Sequence, residues 1–543
     1  MSGFVHFYKK RGVEYAEWRV SVRRGGKVTH ERRNLGRVVD RERLIFKKRG
    51  APAYGIDADG SPREVTTDEL PALPERAPLE WGVERDPLDF GDAFFAVEYL
   101  RSMGLLQIME GLVEGAGDTV CSLLVHKIVT TKRSSMHCAA WWKGSYACYL
   151  FPEADLRSQA ISACLEELGR EHVQQSFFKQ YLGMLYGEGA GPVGTLIDST
   201  GLPSASRMQM VQISNHNGEV SSQVRLIYVV DRSNSRPIYM RPIQGNIVDV
   251  TTIRTTYAML AQYGVVIDWV ILDAGYYSEA NARELIRAGV KFMARVKLDL
   301  KIVTDVAGKD LEKLKDVESA ANAVPYGNRI VYMVRHEAKV AGEAAWLHIG
   351  VDPTARDGAR QRETLKGLDA GKPFDEIDRK VRRMGAFAIL ATQEMGRAEV
   401  LPLYYTRQKI EQVFDVAKNY ADLLPLRVAN ELTLNGHLLL TFAATAMPQG
   451  LQQDLIAKRK KKSKININGA LTALRNHKAK VFDHALVPCE PAAENSAIYK
   501  AFKIEVPTMV PWELPDPRLK VRADVMLDML EGDPDEVDLA LAL

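Results

Sequence analysis

The sequence has few cysteines and no long apolar segment, and both absences narrow the classes of protein to consider. Five cysteines are scattered over 543 residues, which speaks against a disulfide-stapled framework. No segment approaches the roughly 18 uncharged apolar residues that a membrane span requires, and the longest candidate, residues 437–447, is interpreted as a buried helix. The N-terminus also lacks the apolar core of a signal peptide. These absences predict a reduced, cytoplasmic protein that does not associate with membranes.

The common metal-binding spacings are missing as well. The chain contains neither a CxxC pair nor an HExxH motif, so a structural zinc site or a zincin is not expected. The apolar fraction of 46% and the charged fraction of 26% are those of an ordinary soluble globular protein. Because single cores stop growing well below this chain length, we expect several domains.

The net charge of +3 hides an uneven distribution of charge along the chain. Residues 1–49 carry 15 Lys and Arg against 5 Asp and Glu, and residues 451–487 carry 9 against 2. The last twenty residues carry seven acidic residues and no basic one. A single basic run is explained equally well as solvated surface. Two basic regions around a near-neutral middle favour a polyanionic partner, most commonly a phosphate backbone.

Composition and periodicity divide the chain into five predicted regions. They are a basic β-rich DNA-binding unit (1–49), a linker rich in Pro, Gly and Asp (50–85), a helical domain (86–190), a mixed α/β domain (191–450) and a basic, then acidic, C-terminal region (451–543). Gly25-Gly26 between two alternating runs predicts a hairpin. Trp141 and Trp142 lie in an apolar helical context, which favours core packing over base stacking.

The α/β region has the clearest order of elements. The pattern predicts strands at 193–198, 223–230, 237–243, 265–272 and 290–296, and helices at 250–263 and 278–288, with Asp249 and Ser278 as N-caps. Three antiparallel strands followed by helix, strand, helix and strand fit an RNase H-like mixed sheet. Residues 300–385 then predict a β-containing insertion, before a strand at 386–392 and a helix at 402–420.

One face of that last helix combines four chemically distinct side chains. At 100° per residue, an aromatic hydroxyl, a guanidinium, a carboxylate and an ammonium fall within an arc of about 60°; they belong to Tyr404, Arg407, Glu411 and Lys418. A surface helix with an Arg407–Glu411 ion pair is the simpler interpretation. It does not explain why Tyr404 and Lys418 share the face.

Two aspartates follow apolar strands in the same region. Asp198 follows 195–197 and Asp273 follows 270–272. Taken alone, each is most simply a turn residue or a helix cap. In the predicted sheet the first and fourth strands are neighbours, so both carboxylates can approach one point. Carboxylates are the hard ligands that Mg²⁺ prefers, and two ions about 4 Å apart can serve phosphoryl transfer.

The spacing Tyr-x₂-Arg-x₃-Glu-x₆-Lys from Tyr404 to Lys418 resembles the Tyr-Arg-Glu-Lys signature of DDE transposases in the insertion-sequence-four superfamily. The resemblance covers about 193–447, and the segment before Glu411 is similar to the family's β-rich insertion. Other segments that resemble family motifs are Asp198-Ser199-Thr200, Asp273-Ala274-Gly275-Tyr276, Phe292 to Lys297, and Gly245-Asn246 with Asp249.

The resemblance implies specific roles. Asp198, Asp273 and Glu411 would bind two Mg²⁺ ions, which Mn²⁺ can replace. Water and then a DNA 3′-hydroxyl would attack a phosphodiester in line. Phosphates of the transposon end would be held by Tyr404, Arg407 and Lys418. The implied partners are double-stranded DNA, as insertion-sequence ends and target, and a second copy of the chain in a homodimer on DNA.

Two alternatives remain open from the sequence. An RNase H-fold nuclease that cuts without joining would carry the same catalytic set, and only a strand-transfer assay separates it from a transposase. A transposase-derived DNA-binding protein without catalysis is the other alternative. The intact set of Asp198, Asp273 and Glu411 speaks against it, because a chain freed from catalysis has no reason to keep all three.

Overall fold

The computed structural model describes residues 3–10, 13–24, 27–48, 52–57, 59–65, 85–130, 133–187, 191–216, 219–247, 251–428, 430–458, 467–482 and 485–511. The chain divides into two compact units, Met1–Gly82 and Val83–Leu543, and each has its own hydrophobic core. Several predicted features lie outside the described residues, namely the Gly25-Gly26 turn, the Asp249 cap, residues 459–462 of the basic run and the acidic C-terminus.

The first unit is an antiparallel sheet of six strands that are neighbours in chain order. They are β1 (Gly3–Lys10), β2 (Val13–Arg24), β3 (Lys27–Asp40), β4 (Ile45–Lys47), β5 (Tyr54–Ile56) and β6 (Pro62–Glu64). Alternation along the strands buries a small apolar core that includes Trp18, Leu35 and Phe46. The linker predicted over 50–85 is wrong for residues 54–64, because β5 pairs with β4 and β6 pairs with β5. Strands of three residues are too short to show alternation.

The second unit begins with one strand and a group of helices. They are β7 (Arg85–Asp89), α1 (Gly91–Met103), α2 (Leu105–Glu110), α3 (Gly117–Val129), α4 (Cys138–Gly144), α5 (Ala147–Leu150), α6 (Ser158–Leu168) and α7 (Glu171–Tyr186). The helices expected between 86 and 187 are present, but residues 86–89 belong to strand β7 instead. Trp142 on α4 is buried and donates its indole N–H to the Phe151 carbonyl over 3.1 Å.

A ten-stranded mixed sheet forms the centre of this unit. The segment that forms its first part has these strands and connecting helices, in chain order: β8 (Val193–Pro203), β9 (Gln212–His216), β10 (Glu219–Asp231), β11 (Pro237–Gln244), α8 (Ile253–Gln262), β12 (Ile267–Leu272), α9 (Glu279–Arg287) and β13 (Lys291–Val296). The strand order is β11-β10-β8-β12-β13. Pairs β8–β12 and β12–β13 are parallel, whereas β10 is antiparallel to both of its neighbours in this order. The first and fourth predicted strands, which are β8 and β12, are neighbours as expected. The Ser278 side chain caps α9 by accepting from the Asn281 N–H.

The predicted insertion extends the same sheet. It forms α10 (Lys301–Glu312), α11 (Leu314–Val317), β14 (Ala323–Tyr326), β15 (Arg329–Val340), β16 (Glu343–Val351), α12 (Pro353–Asp369) and α13 (Phe374–Arg382), and β17 (Ala386–Ala391) follows. The strand order continues as β13-β17-β16-β15-β14, all antiparallel. The strands of 300–385 are therefore continuous with the central sheet, through β17.

The single helix predicted over 402–420 is wrong. The structure has α14 (Arg397–Tyr404), a 3-10 turn (Tyr405–Arg407) and α15 (Gln408–Asn419). At the turn the Thr406 hydroxyl donates to the Leu403 carbonyl over 2.7 Å. Such a local side-chain bond competes with the regular helical ladder. The long apolar helix α16 (Glu431–Lys458) follows.

The described part of the C-terminal region is folded. It contains α17 (Ile467–Arg475), β18 (Lys478–Val481), β19 (Ala485–Pro488), α18 (Ala493–Phe502) and β20 (Val510–Pro511). Its strands join β7 in a second sheet with the order β20-β19-β18-β7. The boundaries predicted near 190 and 450 fall inside one unit with a shared core, so the division there into domains stays a prediction. Within the described ranges, no helix has the length and hydropathy of a bilayer-crossing segment.

Candidate active site

The register between β8 and β12 brings the two predicted aspartates level with each other. Leu196 on β8 pairs with Ile271 on β12 in parallel, and Asp198 and Asp273 each lie two residues further along. Neighbouring strands are about 4.8 Å apart, so the two carboxylates start from adjacent points. Asp198 does not end its strand as predicted, because β10 pairs with β8 from Thr195 to Pro203 and continues it past the end of β12.

A single guanidinium contacts all three predicted carboxylates. The Arg407 Nη1 lies 2.8 Å from the Asp198 Oδ2, and its Nη2 lies 3.3 Å from the Glu411 Oε1 and 3.7 Å from the Asp273 Oδ1. The side chains of Arg407 and Asp198 are only 16% and 17% exposed, whereas that of Glu411 is 59% exposed. The Arg407–Glu411 pair of the simpler interpretation is therefore present, but the shorter and more buried contact is with Asp198.

The electrostatic balance at Arg407 is dominated by these carboxylates. Burial by itself lowers the pKa of Arg407, but the charges of Asp198, Asp273 and Glu411 raise it, and the net effect is a raised pKa. The guanidinium is therefore cationic at any physiological pH. Three carboxylates and one guanidinium leave a formal charge of −2 at this point of the molecule.

Tyr404 reaches the same cluster, and Lys418 lies beside it. The Tyr404 hydroxyl is 3.4 Å from the Asp273 Oδ1. Burial, and then the charge of Asp273, raises the pKa of Tyr404, so the hydroxyl is a proton donor at neutral pH. The Lys418 ammonium donates to the Thr200 hydroxyl, two residues beyond Asp198 on β8. Burial lowers the pKa of Lys418.

The donor set can be compared with the needs of a divalent cation. In the parts of the chain that the structure describes, no three His, Cys, Asp or Glu side chains are grouped as a metal site, since Asp198, Asp273 and Glu411 surround the Arg407 guanidinium. Their chemistry nevertheless fits Mg²⁺, which prefers carboxylate oxygens. The formal charge of −2 that remains beside Arg407 matches one such ion.

One supporting residue was not predicted from the sequence. Arg225 on β10 is 5% exposed. It donates to the Ser199 hydroxyl over 2.6 Å and to the Ile247 carbonyl over 3.3 Å. Because side chains alternate along β8, Ser199 lies on the opposite face from Asp198. Arg225 therefore contacts β8 on the face that does not carry Asp198. A lone cation inside the apolar run 223–230 was the available signal, since a buried charge needs partners.

Comparison with known proteins adds one family. Residues 189–447, which contain all six candidate site residues, match the transposase DDE domain. No curated protein sequence shows a significant match. Among solved structures, a cryo-EM structure of a piggyBac transposase synaptic complex with hairpin DNA is 10% identical, with a TM-score of 0.38 over 71% of this chain and 79% of that chain. That score is too low to establish a common fold. Between residues 189 and 447 the chain is thus similar to the DDE domain of transposases, which supports a DDE transposase in general terms.

Proposed function

We propose that the protein is a transposase of the insertion-sequence-four type, which binds insertion-sequence ends and catalyses metal-dependent DNA cleavage and strand transfer. The observation that carries the proposal is the convergence of Asp198, Asp273 and Glu411 on Arg407, inside the segment that matches the DDE domain. The strand order β11-β10-β8-β12-β13, with β8 and β12 parallel neighbours, supports an RNase H-like arrangement of this core.

The proposed reaction has two phosphoryl-transfer steps. In the first, a water oxygen bonds to the scissile phosphorus, the bond to the leaving oxygen breaks, and a 3′-hydroxyl remains. In the second, the oxygen of that 3′-hydroxyl bonds to a phosphorus of the target DNA, and the bond from that phosphorus to the leaving 3′-oxygen of the target strand breaks. Asp198, Asp273 and Glu411 would hold two Mg²⁺ or Mn²⁺ ions. Bound there, the ions would stabilise charge on the attacking and leaving oxygens.

Arg407 can take part in both the resting and the DNA-bound arrangement. Its guanidinium has five donors, and only a few of them are used by the carboxylates in this structure. A phosphate oxygen pair is a good bidentate partner for the same fork. When phosphate enters, Arg407 can exchange its contact with Glu411 for phosphate contacts, which frees that carboxylate for a cation. Tyr404 and Lys418 would hold neighbouring phosphates through their hydroxyl and ammonium donors.

The first unit would supply further DNA contacts. Residues 1–49 carry 15 basic residues against 5 acidic ones, and the described side chains of Arg32, Lys47 and Lys48 are exposed. Phosphate contacts by such residues give affinity without sequence information. We further propose that two copies of the chain act together on DNA, because two ends must be cut and joined and each chain has one carboxylate set.

The test of this proposal is Glu411→Gln. The change keeps size and hydrogen bonding but removes the charge that would hold a hard cation. Cleavage of end DNA in Mg²⁺ should fall by several orders of magnitude, while DNA binding persists. The matched control is Glu279→Gln on α9, where an exposed Glu279–Arg283 pair has the same i,i+4 spacing. Near wild-type cleavage by Glu411→Gln would show that the catalytic assignment is wrong.

A strand-transfer assay separates the proposed function from a nuclease. Pre-cleaved end DNA with a free 3′-hydroxyl is incubated with target DNA and Mg²⁺. We expect joined products that depend on Glu411. Cleavage without joining would identify a nuclease, and neither activity, with DNA binding preserved, would identify a DNA-binding protein without catalysis.

A further inference from the structure

A groove lies beside the candidate active site in the second unit. Its volume is about 1040 Å³, just above the range of about 300–1,000 Å³ that small-molecule sites occupy. The groove is lined by α4 and the residues before it, the end of β8, the end of α15 and the loop after it. The lining side chains used below are Asp89, Arg133, Trp141, Lys418, Asp422 and Arg427.

The charges that face this groove favour an anion. Both lining carboxylates are paired with lysines outside the lining, Asp89 with Lys478 and Asp422 with the buried Lys127. In contrast, the exposed side chains of Arg133 and Arg427 form no ion pair with any described residue. Lys418 adds a third cation, whose ammonium donates to the neutral hydroxyl of Thr200. The groove therefore offers three cationic groups and no unneutralised carboxylate.

The groove also has an aromatic wall. Trp142 is buried in the core, but its neighbour Trp141 is only partly buried and lines the groove. The Trp141 ring is held edge-on against His126, with ring centroids 5.4 Å apart. A held aromatic ring beside cationic groups is the combination that single-stranded nucleic acid uses, because bases stack on the ring and phosphates meet the cations.

The position of Lys418 connects the groove to the chemistry. Lys418 follows Glu411 by seven residues on α15, which is about 10 Å along a helix axis at 1.5 Å per residue. At the rise of 3.4 Å per nucleotide in duplex DNA that length spans about three nucleotides, and a more extended unpaired strand spans it with fewer. A strand whose scissile phosphate lies at the carboxylates can therefore continue into the groove within a few nucleotides.

We propose that this groove binds an unpaired segment of the DNA strand next to the scissile phosphate. Arg133, Lys418 and Arg427 contact its phosphates, and Trp141 stacks on one of its bases. A base within a duplex is already stacked on its neighbours, so only an unpaired base can use the Trp141 ring. This inference rests on the proposed function, since it assigns a substrate segment to the same catalytic site.

The test uses the full chain and three fluorescent DNA ends. One end is blunt, and the other two carry an unpaired thymine tail, one of each polarity. We expect one tail polarity to strengthen binding. Trp141→Leu should lose about 5- to 150-fold of the tail-dependent affinity, as expected for one stacked base. Trp141→Phe, which keeps an aromatic face, should retain most of it. Thermal unfolding of both variants checks that the fold survives, and blunt-end affinity should not change.

The charge test uses paired substitutions. Arg133→Ala with Arg427→Ala should reduce the slope of log affinity against log salt concentration for the tailed end by about 1.4, because each single-strand phosphate contact contributes about 0.7. The control removes two exposed arginines from α9, Arg283→Ala with Arg287→Ala, and should leave the slope unchanged.

Four outcomes would overturn the groove assignment. The first is that a tail of either polarity leaves the affinity of the DNA end unchanged, and the second is that Trp141→Leu keeps the full tail-dependent affinity. The third is that Trp141→Leu loses as much affinity for the blunt end as for the tailed end. The fourth is that the α9 control lowers the salt slope as much as Arg133→Ala with Arg427→Ala. Each can occur while Glu411-dependent cleavage remains intact, in which case the proposed function stands and only the groove assignment fails. An error in the catalytic assignment is detected separately, because the Glu411→Gln variant would then cleave end DNA at a near wild-type rate.

Discussion

Replacing Arg407 with methionine should destabilise the second unit strongly. The change keeps a long apolar stem but removes the charge and all donors. The Arg407–Asp198 contact of 2.8 Å joins side chains that are 16% and 17% exposed. Removing one partner of a buried pair costs about 3–5 kcal/mol. Because this pair is not fully buried, we expect a loss of about 3 kcal/mol, and the more exposed Glu411 adds little.

The pH of the measurement can be chosen from the direction of the pKa shift. The folded-state pKa of Arg407 is raised above its ordinary value. A group with a raised pKa contributes its stability fully below the unfolded value and loses it only as pH rises through the folded value. The contribution of Arg407 is therefore constant between about pH 6 and 9. Any difference between variant and wild type in that window does not come from titration of Arg407.

Magnesium provides the second arm of the same experiment. Without Arg407 the three carboxylates carry a formal charge of −3, so they should bind Mg²⁺ more strongly than in the wild type. A bound ligand stabilises the folded state by about 2.7 kcal/mol at a concentration of 100 times its Kd. Urea unfolding with and without Mg²⁺ should show a larger stabilisation of Arg407→Met than of the wild type.

The control for this experiment is Arg283→Met. Arg283 pairs with Glu279 over 3.1 Å, with side chains 49% and 73% exposed, so the expected loss is below about 1 kcal/mol, without a response to Mg²⁺. If Arg407→Met lost no more stability than this control and responded no better to Mg²⁺, the carboxylate cluster could not be the cation site that we propose.

Three further expectations concern other parts of the molecule. Arg32→Ala with Lys47→Ala should lower the salt slope of end-DNA binding by about 1.8, at 0.9 per phosphate contact in duplex DNA; an unchanged slope would remove the first unit from the DNA interface. Light scattering of the complex with end DNA should give two or more chains, and a monomer that joins both ends would contradict this. Burial lowers the pKa of Lys127 to about 8, so the unfolded state binds more protons between pH 8 and 10.5 and wild-type stability should rise with pH there. Urea unfolding of Lys127→Met should lack that rise, and an identical rise would show that Lys127 is not its source.

The central elements of the fold could be predicted because the apolar runs and capping residues that define each element lie within its own stretch of sequence. The strands β10, β11, β12 and β13 are apolar runs between turn residues, and α9 has both an N-cap at Ser278 and a glycine, Gly289, with a φ of 73° after its end. The extension of the sheet by β14–β16 was not predictable, because a strand's neighbours depend on hydrogen bonds to residues distant in sequence. The strands β5 and β6 were missed for a different reason, since three residues cannot show a period of two.

The candidate site also has a part that the sequence predicts and a part that depends on the tertiary structure. The sequence identifies Asp198, Asp273 and Glu411 by their chemistry, but the interaction of Arg407 with Asp198 depends on the sheet. Within α15 and the turn before it, the only acidic partner that sequence spacing offers Arg407 is Glu411, four residues later. The shorter contact, with Asp198, joins residues 209 positions apart. It forms because the parallel register of β8 and β12 sets both aspartates beside the start of α15.

The broken helix shows why the spacing of the signature residues is better understood as a turn followed by a helix. A 3-10 turn advances about 120° per residue instead of about 100°, so the three residues Tyr405–Arg407 rotate Tyr404 by about 60° relative to Glu411. With that rotation Arg407, Glu411 and Lys418 project at about 0°, 40° and 20° relative to Tyr404, so the four side chains still share one face. From that face Tyr404 meets Asp273, Arg407 meets Asp198 and Glu411, and Lys418 meets Thr200. The fixed spacing therefore matters because it matches the positions of those strand residues.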